Sequence, residues 1–439
     1  MSLSSRGRKI NKTVQKVILL PFVMDQYIPN INRGFRAVIK SAFALFLIVV
    51  LFSKFIFQGL SITFFKSIDE LLLLFCIPIL LVNIVIKKRI DSWLIILGLV
   101  FVILAIISAL GPQFRLNSIV QIAIHLRLFI YFYILKRLFF NDNAILKVFF
   151  HLFMVLTFLG FLANVVLQEN YQYLFNGPIN YRFGLLRVVG FQLSYNNLGL
   201  SFMLFYIYVL SFRWVQRNVS FLIISSIALI ILCLFTGTRT ALIIIPISWF
   251  IIFQKNFSGY LKYALYTLFI GILVTGGYFL ANTDIVQLTI ENLSQFNSET
   301  EYIRGLIVFN AFVLCLQYFP FGSGAATYGS IMSKDSEVYS SLGMNVNNFE
   351  GKMQAIFDSN FATIIGEFGL IGILIFTYLI YKLWKMVSVK SELREYYLIC
   401  FIAMVLFSLT NPTLMNGYQS LLFAIMFSIT PSGYKKEYK

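Results

Sequence analysis

The apolar stretches of this chain are its strongest constraint, because they recur at membrane-spanning length from about residue 38 to about residue 431. An α-helix of about 20 apolar residues crosses the hydrocarbon core of a bilayer. Only 12% of the residues are charged and 59% are hydrophobic, whereas soluble proteins have about 25% charged residues. The sequence therefore predicts an all-α polytopic integral membrane protein.

The apolar runs predict about 12 transmembrane helices and one shorter helix that does not cross. The shorter run, 303–319, carries Arg304, Asn310 and Gln317. The twelve predicted spans have the approximate bounds 38–57, 68–86, 92–110, 117–135, 147–167, 193–212, 219–236, 240–254, 262–281, 358–381, 395–411 and 415–431.

The basic residues predict the orientation of these spans. Lys and Arg favour the cytoplasmic side of a membrane protein. With the N-terminus inside, most of the 35 basic residues lie in the cytoplasm, provided that 303–319 does not cross. We therefore expect a basic cytoplasmic segment at 1–37, one transmembrane domain at 38–431 and a cytoplasmic tail at 432–439. Two long external loops follow, at about 168–192 and 282–357.

The charge and cysteine patterns argue against nucleic-acid binding and against a metal site formed by cysteines. The net charge of +17 comes from residues at the ends of the apolar runs, which fits topology better than nucleic-acid binding. The four cysteines lie in apolar runs without metal-like spacing, so we interpret them as small core residues. We interpret His125, Arg127 and His151 as structural polar contacts, and Asp69 as a helix cap.

Arg239 is the most informative single residue, because it lies in a Thr-Gly-Thr-Arg turn between two predicted spans. An arginine at the centre of a lipid-facing helix costs at least about 2.5–3.5 kcal/mol. A snorkelling arginine at a helix end would avoid much of this cost. The alternative is that the guanidinium faces an anionic ligand, and the small residues Thr236 and Gly237 would let that anion approach.

Three further arginines are predicted on the same external side, namely Arg182, Arg187 and Arg304. A guanidinium makes paired, charge-assisted hydrogen bonds to phosphate, so four convergent arginines would bind one anionic group. Asn196 begins the following span and is expected at the same site. Ordinary ion pairing, such as Arg304 with Glu301, is the alternative.

The second external loop closes on a group of polar and small residues. Gly322 and Gly324 begin a Gly-, Ser- and Asn-rich stretch, 322–348, which is predicted to be flexible. Asp358 starts a span, where a carboxylate is a catalytic base or only a helix cap. Glu367 lies about 2.5 turns deeper, where an ionised acid is expensive and an arginine would be a suitable partner. The glycines at 369 and 372 are predicted to serve close helix packing.

In order and spacing, these pieces resemble the O-antigen polymerase and O-antigen ligase superfamily of Wzy-like membrane glycosyltransferases. The resemblance covers the layout of the chain from first span to last. It is carried by residues 182–197, by the turn at 236–241, by Arg304 with residues 320–329, and by residues 358–372. One feature departs from the ligases, which carry a histidine in the large external loop. Asp358 stands at that position, which favours a polymerase.

The resemblance implies a polysaccharide polymerase at the outer face of the bacterial cytoplasmic membrane. It would join undecaprenyl-diphosphate-linked repeat units of a capsule, exopolysaccharide or O-antigen, without metal or cofactor. Arg239 and Arg304, with Arg182 or Arg187, would hold the diphosphate, and Asp358 would accept the proton of the sugar hydroxyl. Asn196, Glu367, Gly322 and Gly324 would line the substrate site.

Three alternatives stay open on the sequence. A ligase would transfer finished glycan to lipid A core in a single step. A flippase for lipid-linked oligosaccharide would have two similar halves, and no internal repeat is evident. A scaffold without catalysis would not need placed arginines. The expected partners are the lipid-linked donor and acceptor and membrane lipids, and whether a chain-length regulator protein binds is open.

Overall fold

The computed structural model describes residues 33–62, 68–74, 76, 91–139, 143–178, 180–182, 185–256, 260, 263, 267, 303–344, 357, 359–388 and 393–429. About 80% of this part is helical. Its α-helices are α1 (Arg33–Leu51), α2 (Ser92–Leu110), α3 (Leu116–His125), α4 (Arg127–Leu138), α5 (Asn143–Leu167), α6 (Asn170–Phe175), α7 (Tyr195–Leu210), α8 (Arg213–Arg217), α9 (Val219–Thr236), α10 (Arg239–Asn256), α11 (Ile303–Gln317), α12 (Val338–Ser341), α13 (Asn360–Val387), α14 (Arg394–Thr410) and α15 (Gly417–Ser428).

Three short elements and one small hairpin complete the described part. A π-helical turn, Phe55–Gly59, follows α1, and 3₁₀ turns occur at Gly190–Gln192 and Ile331–Ser333. The two-residue strands β1 (Tyr181–Arg182) and β2 (Leu185–Leu186) pair antiparallel. The fold is thus all-helical in character, as the apolar runs predict.

Four described helices, α2, α5, α9 and α13, are long and apolar enough to cross a membrane. Helices α3 and α4 make a fifth candidate if the pair counts as one span, bent by 52°. This count agrees with a membrane protein but not with twelve spans. In five other helices, α1, α7, α10, α11 and α15, the apolar stretch has only 10–17 residues, less than the roughly 20 that the hydrocarbon core requires. The predicted spans 68–86 and 262–281 lie largely outside the described residues.

The core of the bundle lies around α4, α7 and α15. Helix α15 lies along α4 and contacts α7, and α9, α10 and α14 surround α7. Most of α4 and α15 is buried, which is typical of helices enclosed by other helices. Three cysteines, Cys76, Cys233 and Cys400, are buried, as expected for core residues, and Cys315 is half-buried.

Helix α13 is broken at Gly369, in the middle of a candidate membrane span. Gly369 has φ 57° and ψ −149°, a backbone conformation that residues with a side chain avoid. The carbonyl oxygens of Gly366 and Glu367 lie just before the break, and the amide of Ile371, the regular helical donor to Glu367 O, bonds to Pro320 O instead. Within a membrane these oxygens need other donors, because no water is available to them.

The glycine-rich segment, residues 320–330, supplies those donors. The amide of Ser323 donates to Gly366 O at 2.9 Å and the amide of Gly324 donates to Glu367 O at 2.7 Å. In return, the amide of Ile371 donates to Pro320 O at 3.3 Å. The segment therefore replaces the hydrogen bonds that the helix lacks at its break.

Residues 322–344 are ordered and largely buried, so the prediction of a flexible stretch is wrong for this part; residues 345–348 lie outside the described residues. A small apolar cluster joins α11, α12 and α13 to the glycine-rich segment, with Ile307, Leu314, Tyr328 and Ile365 among its members. Helix α11 packs lengthwise on α13. The predicted short helix within the second loop thus belongs to a packed unit.

We expect Gly369→Ala to lower the free energy of unfolding by at least about 2 kcal/mol, because a Cβ would force a side chain into a disfavoured backbone region. That Cβ would also lie 2.5 Å from Pro320 O. The matched control is Gly98→Ala in α2, where a Cβ meets nothing within 4 Å. Alanine there should be neutral or stabilising by up to about 1 kcal/mol. Denaturant titration of the purified protein in detergent measures both, and equal stability of the variants would contradict this account.

Candidate functional site

The Thr-Gly-Thr-Arg turn joins the end of α9 to the start of α10. Gly237 adopts the left-handed conformation that ends a helix, with φ 67°. The hydroxyl of Thr238 donates to the carbonyl of Tyr195 at 3.3 Å, which ties the turn to the start of α7. Arg239, the first residue of α10, is half-buried. The turn is therefore fixed against α7.

Arg187 lies beside this turn, as the sequence predicts. Its Nε donates to the carbonyl of Thr236 at 3.1 Å. Its guanidinium carbon lies 3.8 Å from the ring centroid of Tyr195, a cation–π contact. Arg187 therefore contacts the turn that carries Arg239.

Asn196 connects this place to the ends of α13 and α14. Its amide nitrogen donates to Asn411 Oδ1 at 2.8 Å. The carbonyl of Asn411 in turn accepts from the amide of Asn360 at 3.3 Å. The starts of α7, α10 and α13 and the ends of α9 and α14 therefore meet at one end of the bundle.

Three further residues of the predicted site have no described side chain. Asp358 lies outside the described residues, and its neighbour Ser359 caps α13 by accepting from Ala362 N at 3.2 Å. Arg182 belongs to β1 and Arg304 to the first turn of α11, but their side chains are outside the described part. Convergence of all four arginines thus stays a prediction.

Glu367 forms a separate buried site with a histidine. Its side chain and that of His125 are wholly buried, and Glu367 Oε2 lies 2.9 Å from His125 Nε2. Ser330 donates to Glu367 Oε1 at 3.1 Å, and Gln121 Nε2 lies 3.1 Å from His125 Nε2. The described partner of Glu367 is therefore His125, and the expectation of an arginine partner is wrong.

Gly322 and Gly324, predicted to bind substrate, are buried against α13 and α2. A Cβ at Gly322 would lie 2.5 Å from Gly369 N, and one at Gly324 would lie 3.2 Å from Ser108 O. Both have positive φ, 73° and 96°. These glycines permit close backbone approach at the helix break, which is a structural role.

Tyr339 holds the far end of this segment. Its hydroxyl accepts from Gly329 N at 2.8 Å and lies 2.8 Å from Ser333 Oγ. Burial is the main cause that raises the pKa of the Tyr339 phenol to about 12. The phenol is therefore neutral at physiological pH and serves as a hydrogen-bond partner.

A salt bridge between the buried Arg127 and the partly exposed Asp69 lies at the bend between α3 and α4. Arg127 is 2% exposed, and its Nη1 lies 3.4 Å from Asp69 Oδ2 and 3.3 Å from Met415 O. Gly417 allows this approach, since a Cβ there would lie 2.3 Å from Asp69 Oδ2. Asp69, interpreted from sequence as a cap, thus pairs with a buried arginine.

The sequence pattern did not single out residues 411–419, the polar connection between α14 and α15 together with the first turn of α15. This connection contacts Asn196 and Asn360 through Asn411, and Arg127 through Met415. Its Asn-Pro and Asn-Gly dipeptides, which lie between two apolar runs, are turn signals. They could have marked the connection as polar structure between two helices, though not as a centre of contacts.

Within the described residues, no group of three or more His, Cys, Asp and Glu side chains is arranged to hold a metal ion. Comparison of the chain with protein-family models and with curated proteins finds no match.

The His125–Glu367 contact should be strongly coupled. We expect Glu367→Ala to lower the free energy of unfolding by about 3–5 kcal/mol, because it strands the buried histidine and hydroxyl. A double-mutant cycle with His125→Ala should give a coupling energy of about 1–3 kcal/mol. Glu367→Gln, which keeps an oxygen for Ser330, is the conservative control and should lose less. Strictly additive single losses would refute direct coupling.

Proposed function

We propose that this protein is a membrane glycosyltransferase that joins lipid-diphosphate-linked oligosaccharides. The observation that carries the proposal is the meeting of Arg187, the turn of Arg239, and Asn196 with the start of α13 at one end of the bundle. Two arginines from separate segments beside amide side chains suit an anionic group attached to a sugar. The resemblance to Wzy-like polymerases supports the same assignment.

The chemistry follows from the properties of a diphosphate leaving group. Arg239 and Arg187, with Arg304 or Arg182, would stabilise the charge that develops on the diphosphate as the glycosidic bond to it breaks. The acceptor hydroxyl attacks the same sugar carbon and gives up a proton, which Asp358 would accept. In the sequence, Asp358 directly precedes Ser359, the cap of α13.

We place this activity at the outer face of a bacterial cytoplasmic membrane, with both termini in the cytoplasm. The donor and acceptor would both be undecaprenyl-diphosphate-linked repeat units of a capsule, exopolysaccharide or O-antigen. Glu367, Gly322 and Gly324 take a supporting role in this proposal, since their contacts hold α13 rather than an open surface.

The test is polymerisation by the purified protein in nanodiscs, with undecaprenyl-diphosphate-linked repeat unit and EDTA, resolved on a carbohydrate gel. Wild type should give a ladder. Arg239→Ala and Arg187→Ala should each slow it by about 10²–10³-fold, since they remove charge stabilisation from the transition state. Arg187→Lys should not restore activity, because a lysine lacks the planar fork and its Tyr195 contact.

Arg217→Ala is the matched control, because Arg217 is exposed in α8, beyond the opposite end of α7. It should leave the ladder unchanged. Full polymer length with Arg239→Ala at normal protein level would overturn the assigned role. A single transfer per acceptor, with lipid A core supplied, would indicate a ligase instead.

A lipid-linked oligosaccharide flippase is the second candidate, and the two helix interruptions favour it. The bend between α3 and α4 lies beside the Arg127–Asp69 salt bridge, and the break in α13 lies beside the buried His125–Glu367 contact. Interrupted helices with buried charges are typical of transporters. Proteoliposomes with a fluorescent lipid-linked oligosaccharide separate the two: protein-dependent flipping without a ladder would favour the flippase.

A further inference from the structure

The loop that carries Arg187 enters the helix bundle instead of crossing its surface. Val188 and Val189 are buried. A Cβ at Gly160 in α5 would lie 2.6 Å from Phe191 N, so the loop backbone lies directly against that helix. Loops usually stay at the surface, where water bonds to their backbone. A buried loop has to find its hydrogen bonds within the protein.

Asn164, in the last turn of α5, supplies two of those hydrogen bonds. Its Oδ1 accepts from Val189 N at 2.8 Å and from Gly190 N at 3.3 Å. Asn164 is itself buried. Without this oxygen, two adjacent buried amides would lose their acceptor, which is costly where water is excluded. Asn164 therefore fixes the backbone of the loop two to three residues after Arg187.

The same stretch of backbone is tied to α9. Val188 N donates to Phe235 O at 2.9 Å, and Arg187 Nε donates to the next carbonyl, Thr236 O, at 3.1 Å. Both acceptors lie in the last turn of α9. Arg187 is thus held between α9, which it contacts directly, and α5, to which Asn164 connects the backbone beside it.

Thr157 holds the loop at a second point of α5. Gln192 Nε2 donates to Thr157 Oγ1 at 2.8 Å, and both residues are buried. Thr157 and Asn164 lie seven residues apart on one face of the helix, and both face the loop. Because Gln192 is further along the chain from Arg187, Thr157 is the weaker of the two anchors.

We propose that Asn164 is a positioning residue for Arg187, acting through the backbone of residues 188–190. The inference rests on the proposed function, in which Arg187 stabilises the charge on a diphosphate. In this role Asn164 does not contact the substrate; it determines where the guanidinium lies when the diphosphate binds. A displacement of about 1 Å can slow a reaction by about 10²-fold. A residue away from the chemistry therefore has a large effect on the rate.

The test is a double-mutant cycle of Asn164→Leu with Arg187→Ala, in the full-length protein in nanodiscs. The first readout is the affinity for inorganic pyrophosphate, measured by isothermal titration calorimetry. Leucine keeps the branching of asparagine and lacks the acceptor. Alone, Asn164→Leu should weaken binding by about three- to tenfold. Together with Arg187→Ala it should add less than about twofold, because the residue through which it acts is absent.

The second readout is the same cycle on the rate of polymerisation. Asn164→Leu should lower kcat by about ten- to hundredfold with little change in KM, because the contact with the leaving group is strongest in the transition state. Asn164→Asp keeps an oxygen at the same place and should stay within about threefold of wild type in both readouts. A partly unfolded sample would bind fewer pyrophosphate molecules at unchanged affinity, and calorimetry separates the two effects.

Ser226→Ala is the matched control for a loss of stability. Ser226 is buried in α9, accepts from Trp249 Nε1 at 2.9 Å and lies 3.2 Å from the hydroxyl of Tyr206. It precedes Thr236 by ten residues, about 15 Å along the helix. The variant should lower the melting temperature and leave both the pyrophosphate affinity and the rate unchanged.

Equal losses of affinity with and without Arg187 would overturn the proposal, and so would wild-type affinity in a folded Asn164→Leu variant. If Asn164→Leu does not fold, Thr157→Val takes its place in the cycle. It should weaken binding by about two- to threefold, and only while Arg187 is present. Equal losses on both backgrounds would again contradict the positioning role.

The two proposals fail separately in this design. A binding cycle that depends on Arg187, without a ladder from wild type, would refute only the polymerase. A wild-type ladder with equal losses on both backgrounds would refute only the positioning role. A wild-type protein that neither binds pyrophosphate nor forms a ladder would overturn both.

Discussion

The break in α13 is the constraint on which two places depend: the His125–Glu367 contact and the start of α13 at the arginine end of the bundle. A helix inside a membrane keeps its backbone polar groups paired within itself, because the hydrocarbon offers no alternative. Gly369 interrupts that pairing, and the glycine-rich segment restores it through Ser323, Gly324 and Pro320. Once the segment is bound there, Ser330 reaches Glu367, and Glu367 reaches His125. The break in α13 thus positions the glycine-rich segment, the buried Glu367 and the neighbouring helix α3.

The sequence predicted the class of fold and one of the meetings at the site. Long apolar runs indicate membrane-spanning helices, and such runs can be recognised from the local sequence alone. The proximity of Arg187, Asn196 and the Arg239 turn could be inferred, since each lies at the end of an apolar run on the same predicted side. Ends of spans meet at the membrane surface, so their position along the membrane normal is available from the sequence.

The buried contacts could not be predicted in this way. His125 and Glu367 are separated by 242 residues, and nothing in the local pattern indicates which partner a buried acid chooses. Gly369 was interpreted as a packing glycine, but its positive φ is a property of the folded backbone and not of the sequence pattern. The described part has fewer helices of spanning length than the apolar runs predict, because several of those runs form apolar helical stretches of only 10–17 residues and the runs 68–86 and 262–281 lie largely outside the described residues.

Helix α13 connects the arginine end of the bundle to the His125–Glu367 contact. Asn360 and Glu367 lie about 10 Å apart along its axis, at 1.5 Å per residue. Between them, Thr363 Oγ1 lies 2.8 Å from Gly329 O and 2.9 Å from Ser359 O, so the glycine-rich segment also holds the cap of the helix. The start of α13 is therefore positioned by two contacts. One is the His125–Glu367 contact further along the helix, and the other is the hydrogen bond from Asn360 N to Asn411 O. A substrate at the arginine end would meet a helix start that is already fixed, which is the preorganisation that electrostatic stabilisation of a transition state requires.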